Sequence, residues 1–370
     1  MMSINAIGIL GANSIGTGIA ELFALNGFQV RIYDNFKDSL TLAMAKIKWS
    51  FAKQGKAELF DSIEPVQDFS LFKGADIIIE AVGKGMDERR MIFNKLASNV
   101  NPECIVAVYS GVIPLEEILE SSDLPAEQTV GFHFIKPVKK NQLVELIKTD
   151  KTKEEIIEVC MELLRKAKKT PIMVKDNPGA VVERLLRPFF LSAFRLLESG
   201  KGLPHEIDEA FKEVSKAAYG PFEMVDYMGL DSDYEATKQI YEKLGSPDRL
   251  IPSEMELRLV QYGQLGRNST IGFYIYEDGK IVGENPILSN IVKYLGLKKV
   301  GKEEIFSELL RPVVEEAKLL ASEIMASEYD IETAVKIAFN WPKGPFAYYR
   351  ENAALFKKKV VSEFDNLDSF

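Results

Sequence analysis

The first 175 residues alternate short apolar runs with amphipathic stretches, and this alternation constrains the fold more than any other feature. The runs are brief and rich in β-branched residues, as in strands that are buried on both faces of a parallel sheet. They span residues 6–10, 29–33, 77–82, 105–109, 129–134, 143–148 and 170–174. Predicted helices lie between most of them, at residues 15–26, 39–54, 87–99, 114–120 and 153–168. This order predicts a doubly wound α/β sheet.

The later part of the chain is predicted to be largely helical. The breaker cluster Asp-Asn-Pro-Gly at residues 176–179 predicts a hinge, and long amphipathic stretches follow it. One hairpin-like piece, at residues 271–282, interrupts them.

The helical part contains an internal repeat in one ungapped register. Leu-Leu-Arg-Pro occurs at residues 185–188 and again at 309–312, and Gly-Pro-Phe occurs at 220–222 and again at 344–346. If the two copies pack together, the chain forms a pseudo-dimer within itself. We predict three domains, the third being a truncated copy of the second, at residues 1–178, 179–298 and 299–370.

Composition narrows the functional classes. The 46 Lys and Arg residues against 55 Asp and Glu residues give a net charge of −9, which is unfavourable for binding nucleic acid. Two cysteines and two histidines exclude a disulfide scaffold and leave little material for a metal site, so we predict none. We find no targeting signal and no apolar run that is long enough to span a membrane, which predicts a cytoplasmic protein without membrane partners.

The motif Gly-Ala-Asn-Ser-Ile-Gly at residues 11–16 follows the first predicted strand and opens a helix, as in dinucleotide-binding Rossmann domains. Gly11 permits a tight turn and Gly16 permits close helix–strand packing, and the helix N-terminus at Ile15 offers N–H groups to a pyrophosphate. Asp34 ends the second strand, where a carboxylate binds the adenine ribose and favours NAD over NADP.

Asn13 takes the place of the middle glycine of this motif. Asparagine tolerates a positive φ better than most residues, so we expect the turn to persist. Its side chain must then point away from the cofactor or replace a water molecule there. The alternative is a Rossmann domain that keeps its fold without binding the cofactor.

Motifs along nearly the whole chain resemble those of the L-3-hydroxyacyl-CoA dehydrogenases. His-Phe-Ile-Lys-Pro at residues 133–137 and Leu-Val-Glu at 143–145 are similar to the family's His-Phe-Phe-Asn-Pro and Leu-Val-Glu. Asn-Trp-Pro-Lys-Gly at residues 340–344 resembles the second helical domain of its longer members. The resemblance implies a Rossmann-type NAD-binding domain followed by all-α C-terminal domains like those of 6-phosphogluconate dehydrogenase, arranged as a tandem repeat.

By this resemblance, His133 is the catalytic base and Glu145 is its partner. A histidine suits proton exchange at neutral pH, and a carboxylate on one ring nitrogen stabilises the imidazolium. The residues alone leave open a histidine that only satisfies hydrogen bonds beside a packed strand. The resemblance also implies cofactor contacts at Ala81, Val82, Lys84 and Arg89. Of these, Lys84 replaces a glutamate of the family.

Three predicted substrate-binding positions depart from the family. Gly111 stands where the family has a serine that contacts the reacting oxygen, and Ser110 precedes it. Lys136 and Glu183 each replace an asparagine of the family. One hypothesis is a swapped ion pair in a specialised site, and the other is independent drift around a decaying site.

Lysines gather near His133, at positions 136, 139 and 140. They predict attraction of an anionic substrate or of coenzyme A phosphates, and we expect them to lower the pKa of His133. The alternative is a solvated lysine face. Further candidates for the phosphates lie after the second strand, at Lys46, Lys48, Lys53 and Lys56.

The leading hypothesis is an NAD-dependent dehydrogenase of L-3-hydroxyacyl-CoA, as in fatty acid β-oxidation, with an altered active site. A second hypothesis is a catalytically weak or inactive homologue that binds nucleotide or acyl-CoA. A third is a dehydrogenase of a hydroxy acid that is not bound to coenzyme A. The resemblance also leaves room for a separate enoyl-CoA hydratase partner.

Overall fold

The computed structural model describes residues 4–82, 86–288, 296, 298–323 and 325–357. The chain divides into two compact units, Met1–Glu183 with Ile324–Asp330, and Arg184–Glu323 with Ile331–Phe370. The predicted division into domains at residues 178 and 298 stays a prediction. None of the described helices has the length and apolar character that a membrane span requires.

The first unit is built on an eight-stranded sheet in the order β3-β2-β1-β4-β5-β6-β7-β8. Strands β1 to β6 are parallel, whereas β7 is antiparallel to β6 and parallel to β8. The strands are Ala6–Leu10, Gln29–Tyr33, Ile63–Val66, Ile77–Glu80, Ile105–Tyr109, Thr129–Phe134, Leu143–Lys148 and Thr170–Lys175. The predicted doubly wound sheet is confirmed.

Helices cover both faces of this sheet. Side chains of α1, α2 and α5 form one apolar core with it, and those of α3 and α4 form another. The helices α1 to α5 are Ser14–Leu25, Lys37–Lys53, Met86–Ala97, Leu115–Glu120 and Glu154–Lys166. Short 3-10 helices lie at Ala57–Ser62, Phe69–Gly74 and Ala126–Gln128. Both faces of the central strands are therefore apolar, which explains their unbroken hydrophobic runs.

Two features of the sheet were not predicted. Strand β3 at Ile63–Val66 is an edge strand with two exposed residues and an internal proline, which an edge tolerates. The reversal between β6 and β7 follows from the absence of a crossover helix between them. This antiparallel arrangement places the start of β7 at the carboxyl end of β6.

The second unit is mainly helical. Its elements, beginning with α6 at the junction of the units, are α6 Val182–Glu198, α7 Pro204–Ser215, α8 Pro221–Met228, α9 Leu230–Lys243, α10 Glu254–Gln261, β9 Tyr274–Glu277, β10 Lys280–Glu284, α11 Lys302–Ser322, α12 Glu328–Ala338, α13 Pro345–Glu351 and α14 Ala353–Lys357. Short 3-10 helices lie at Asp248–Leu250 and Arg267–Ser269. Strands β9 and β10 form the predicted hairpin.

The internal repeat has a structural counterpart that the sequence analysis did not use. In the first copy, the Asp208 carboxylate accepts hydrogen bonds from the N–H groups of Phe222 and Glu223. In the second copy, at the same register, Glu332 accepts them from Phe346 and Ala347. A Cβ on the glycine before each proline would overlap the capping carboxylate, so the Gly-Pro turn and the acid form one unit.

The two copies pack on each other within this unit. Phe306 of α11 stacks on Phe211 of α7, with ring centroids 6.0 Å apart. The buried Glu316 carboxylate of α11 accepts hydrogen bonds from Arg184 and Arg249, which both belong to the first copy. These contacts support the pseudo-dimer, which we retain as a proposal.

Candidate active site

The turn between β1 and α1 requires glycine at two positions. Gly11 has φ +106°, and a Cβ on it would lie 2.7 Å from the carbonyl oxygen of Ala81. A Cβ on Gly16 would overlap the carbonyl oxygen of Gly11. The backbone of β1, the turn and the end of β4 therefore meet without side chains between them. This close approach fits the pyrophosphate turn of a dinucleotide site.

Asn13 adopts a conformation that the sequence analysis did not predict. Its φ is −74°, so the positive φ that we expected is not found. Its side chain caps α1 by accepting hydrogen bonds from the N–H groups of Ile15 and Gly16, and it donates to the carbonyl oxygens of Ala81 and Val82. Two N–H groups at the end of the helix are thus already bound by the protein.

Replacing Asn13 by Gly or by Ala is expected to tighten NADH binding by about 2- to 12-fold, the equivalent of one ordinary hydrogen bond. Either change frees the two N–H groups for the pyrophosphate, and neither needs a positive φ. Calorimetric titration with NADH checks this. Unchanged or weaker binding in both variants would contradict it, and tightening only with glycine would indicate a gain in backbone freedom instead.

Asp34 joins the glycine turn to the segment before α2. Its two carboxylate oxygens accept hydrogen bonds from the N–H groups of Ala12, at 2.7 Å, and Phe36, at 2.9 Å. Each oxygen has a further lone pair, which is what a ribose hydroxyl requires. The position therefore fits the predicted contact with the adenine ribose.

Of the remaining predicted cofactor residues, Ala81 and Val82 follow β4, and Arg89 lies in α3. Arg89 is buried, where it pairs with Glu80 at 3.4 Å and donates to the carbonyl oxygen of Tyr109 at 2.7 Å. Burial raises the pKa of Glu80, and the charge of Arg89 opposes that effect. Arg89 thus ties α3 to the ends of β4 and β5, and Lys84 lies outside the described residues.

His133 and Glu145 are paired by the strand register. They lie directly opposite each other on the antiparallel strands β6 and β7, so their side chains share one face of the sheet. His133 Nδ1 donates to Glu145 Oε2, and both side chains are buried. The other oxygen, Oε1, accepts from the N–H groups of Val181 and Val182 at the start of α6.

This arrangement leaves Nε2 of His133 as the exchanging nitrogen. The carboxylate accepts on Nδ1, which fixes the tautomer of the neutral ring with the lone pair on Nε2. The pair can therefore take up and release a proton at Nε2.

Glu183 is a second carboxylate beside the ring, with Oε1 4.0 Å from His133 Nε2. Burial disfavours the imidazolium, but Glu145 and Glu183 outweigh burial and raise the pKa of His133. Lys136 acts in the opposite direction and is the weakest of these influences. The expected lowering of this pKa by a nearby lysine is found for Lys136, but the two carboxylates outweigh it.

Gly111 packs against the imidazole itself. A Cβ at this position would lie 2.5 Å from both Cδ2 and Nε2 of His133. The hydroxyl of Ser110 donates to the carbonyl oxygen of Ile113, in the turn that follows β5. The structure thus places Gly111 at the ring and binds the Ser110 hydroxyl within its own loop.

A cleft of about 590 Å³ lies beside the glycine turn in the first unit. It is lined by α1, α2 and the loop that follows β6, with lysines 46, 136, 139 and 140 at its wall. Lys139 donates to the buried Glu21 of α1 and to Ser50 of α2. Its charge is thereby neutralised, whereas the other lysines remain candidates for an anionic ligand.

Hydride transfer between a nicotinamide and a hydroxyl-bearing carbon requires a dinucleotide turn and a group that exchanges the hydroxyl proton. This fold brings a glycine turn and a carboxylate-bound histidine to the carboxyl edge of one sheet. The fold and site together therefore define an NAD-dependent dehydrogenase.

Sequence comparison narrows this class. The profile of the 3-hydroxyacyl-CoA dehydrogenase NAD-binding domain matches residues 6–177, and that of the C-terminal domain of the same enzymes matches residues 179–276. The chain belongs to the 3-hydroxyacyl-CoA dehydrogenase family and is an NAD-dependent oxidoreductase. The predicted family and cofactor are confirmed.

Individual relatives agree with this assignment. The chain is 31% identical over 288 residues to a 3-hydroxybutyryl-CoA dehydrogenase of Bradyrhizobium diazoefficiens, covering 75% of this chain and 98% of the relative. It is 28% identical to the fatty acid oxidation complex subunit alpha of Vibrio campbellii, covering 94% of this chain and 50% of that subunit. A crystal structure of 3-hydroxybutyryl-CoA dehydrogenase from Escherichia coli shares the fold, with a TM-score of 0.84, 23% identity, and coverage of 95% of this chain and 92% of that one.

Proposed function

We propose that this protein interconverts an L-3-hydroxyacyl-CoA and the corresponding 3-oxoacyl-CoA, as in fatty acid β-oxidation. The observation that carries the proposal is the buried pair of His133 and Glu145, at the same carboxyl edge of the sheet as the glycine turn. Bound NAD accepts or supplies the hydride at C3. His133 Nε2 takes the hydroxyl proton during oxidation and returns it to the oxygen during reduction.

Glu145 acts through His133. Its contact with Nδ1 orients the ring and stabilises the imidazolium, as the carboxylate of a catalytic triad does. The N–H groups of Val181 and Val182 fix its other oxygen, so the carboxylate is held from two sides. A carboxylate held in this way limits the reorganisation that accompanies proton transfer.

The cleft of about 590 Å³ is our candidate for the coenzyme A site. Leu42 and Lys46 line it from α2, and Trp49 and Lys53 continue the same face of that helix at helical spacing. Trp49 is 66% exposed, with the Lys53 ammonium 4.9 Å from its ring centre. An exposed ring between two cations offers stacking to an adenine and charge to its phosphates.

The substrate-binding residues, the location and the partners that the sequence predicts are part of this proposal. Gly111, Lys136 and Glu183 are the substrate-side residues, and the ion pair of Lys136 with Glu183 remains one of the two hypotheses for them. The cytoplasmic location, the absence of nucleic-acid and membrane partners, and a separate enoyl-CoA hydratase partner also remain predictions.

One observation favours a second candidate function, a catalytically weak homologue that binds acyl-CoA. Asn13 already binds two of the N–H groups at the N-terminus of α1, so a pyrophosphate must displace its side chain or bind elsewhere on the turn. Weak cofactor binding would then leave the acyl-CoA cleft as the functional part. The third hypothesis, a substrate without coenzyme A, is decided by the same experiment.

The test is NADH oxidation by the full chain with acetoacetyl-CoA, combined with the fluorescence of Trp49. The other tryptophan, Trp341, is buried in the second unit, so the Trp49→Phe variant serves as the matched control. We expect turnover, and quenching by coenzyme A only when Trp49 is present. Quenching without NADH binding would favour the second candidate. Turnover of free acetoacetate but not of its thioester would favour the third.

A further inference from the structure

The nitrogen that exchanges the proton, His133 Nε2, faces a second carboxylate. We propose that Glu183 is a positioning residue that pairs with the protonated form of His133 at Nε2 and thereby sets the pH range in which this site exchanges a proton with the substrate oxygen. The inference rests on the proposed function, since it concerns the same histidine.

The geometry places one carboxylate on each ring nitrogen. Glu145 binds Nδ1 from β7, and Glu183 Oε1 lies 4.0 Å from Nε2 at the start of α6. The ring and both carboxylates are largely shielded from water, because the Glu183 side chain is only 15% exposed. At this separation two unit charges attract by about 1 kcal/mol even in bulk water, and by more where water is excluded.

Several elements packed around the ring carry groups that favour or oppose its protonation. Glu145 from β7 and Glu183 from α6 favour the imidazolium, whereas Lys136 from the loop after β6 opposes it. Tyr109 of β5 packs against the ring at 5.9 Å between centroids, and burial together with Glu183 raises the pKa of its hydroxyl, which stays neutral. Gly111 adds only backbone to this face of the ring. Two anions therefore act against one cation.

The reductive step balances with groups already named. C3 gains a hydride, which NADH supplies as it becomes NAD, while the π pair of the carbonyl moves to oxygen. That oxygen takes the proton from Nε2, which forms the hydroxyl group and leaves a neutral imidazole with its Nδ1–H still on Glu145. A proton from water then restores the imidazolium. Oxidation is the same step in reverse and needs the neutral ring at the outset, so Glu183 shifts the pH dependence of both directions together.

The test is a pH titration of the imidazole groups by NMR in full-length protein labelled with ¹⁵N-histidine. The chain has only two histidines, so His205, which lies in the second unit, gives an internal reference signal. We expect the His133 signal to titrate at lower pH in Glu183→Gln than in the unmodified protein. We expect Glu183→Asp, which keeps the charge, to restore much of the difference. Glu155→Gln removes an exposed glutamate of α5 and should change nothing.

Steady-state rates give the second measurement. We expect Glu183→Gln to move the pH at which reductive kcat/KM declines and the pH at which oxidative kcat/KM rises, both to lower pH, because the two directions use the same His133 proton. An unchanged His133 titration in this variant overturns the inference, whatever the rates are. A shifted titration in a protein that turns over no acyl-CoA supports the action of Glu183 on the proton and overturns the proposed dehydrogenase function alone.

Discussion

Replacing His133 by Gln lowers kcat for reduction of acetoacetyl-CoA by about 100- to 10,000-fold, the usual contribution of a general acid or base. Glutamine keeps the ring's approximate length and polarity, but it neither takes up nor releases a proton at neutral pH. The chain has no other histidine in the first unit, so no second imidazole can take over. Stopped-flow and steady-state assays with NADH measure the loss.

Glu145→Gln is the matched variant for this experiment. Its amide can still accept hydrogen bonds from Val181 and Val182, but the remaining NH₂ group then faces the Nδ1–H donor of His133. We expect a smaller loss than with His133→Gln and little change in NADH affinity for either variant. Retention of more than a tenth of the activity by His133→Gln would show that another group exchanges the proton.

Buried central strands were the most predictable part of this fold. Strands β1, β2, β5, β6 and β7 have the bounds that their apolar runs predicted. In β1 and β5, burial on both faces leaves an uninterrupted hydrophobic pattern. Strand β3 was missed because it has only four residues, two of which, including a proline, are exposed. The other edge strand, β8, also contains a proline, but its longer run was predicted at residues 170–174.

The candidate site was predictable in its residues and not in its geometry. The resemblance to the family pointed to His133 and Glu145, and the absence of a helix between β6 and β7 allowed the antiparallel register that pairs them. Asn13 was misjudged because the choice between a positive φ and a capping side chain depends on the carbonyl groups of Ala81 and Val82, which follow β4 and are distant in sequence. The net charge around His133 likewise depends on Glu183, which is fifty residues away along the chain.

Gly111 shows why the departures from the family could not be interpreted from the sequence. The resemblance implies a serine that contacts the reacting oxygen at this position, so a glycine there suggests a lost hydrogen-bond donor. The structure adds a steric reason for glycine, because the space that a Cβ needs is filled by the imidazole of His133.

Gly111→Ser and Gly111→Ala are therefore both expected to reduce activity, by about 100-fold for a ring displaced by an ångström. A Cβ 2.5 Å from Cδ2 and Nε2 forces movement, and the ring cannot simply retreat because Glu145 holds Nδ1. Overpacking of this kind also costs about 1–3 kcal/mol of stability, which thermal unfolding would show. Gly283→Ala, where a Cβ meets nothing within 4 Å, is the control and should leave both quantities unchanged. Because serine and alanine share the Cβ, higher activity with serine and unchanged activity with alanine would instead mean that the ring moves freely and that the missing hydroxyl is what limits the site.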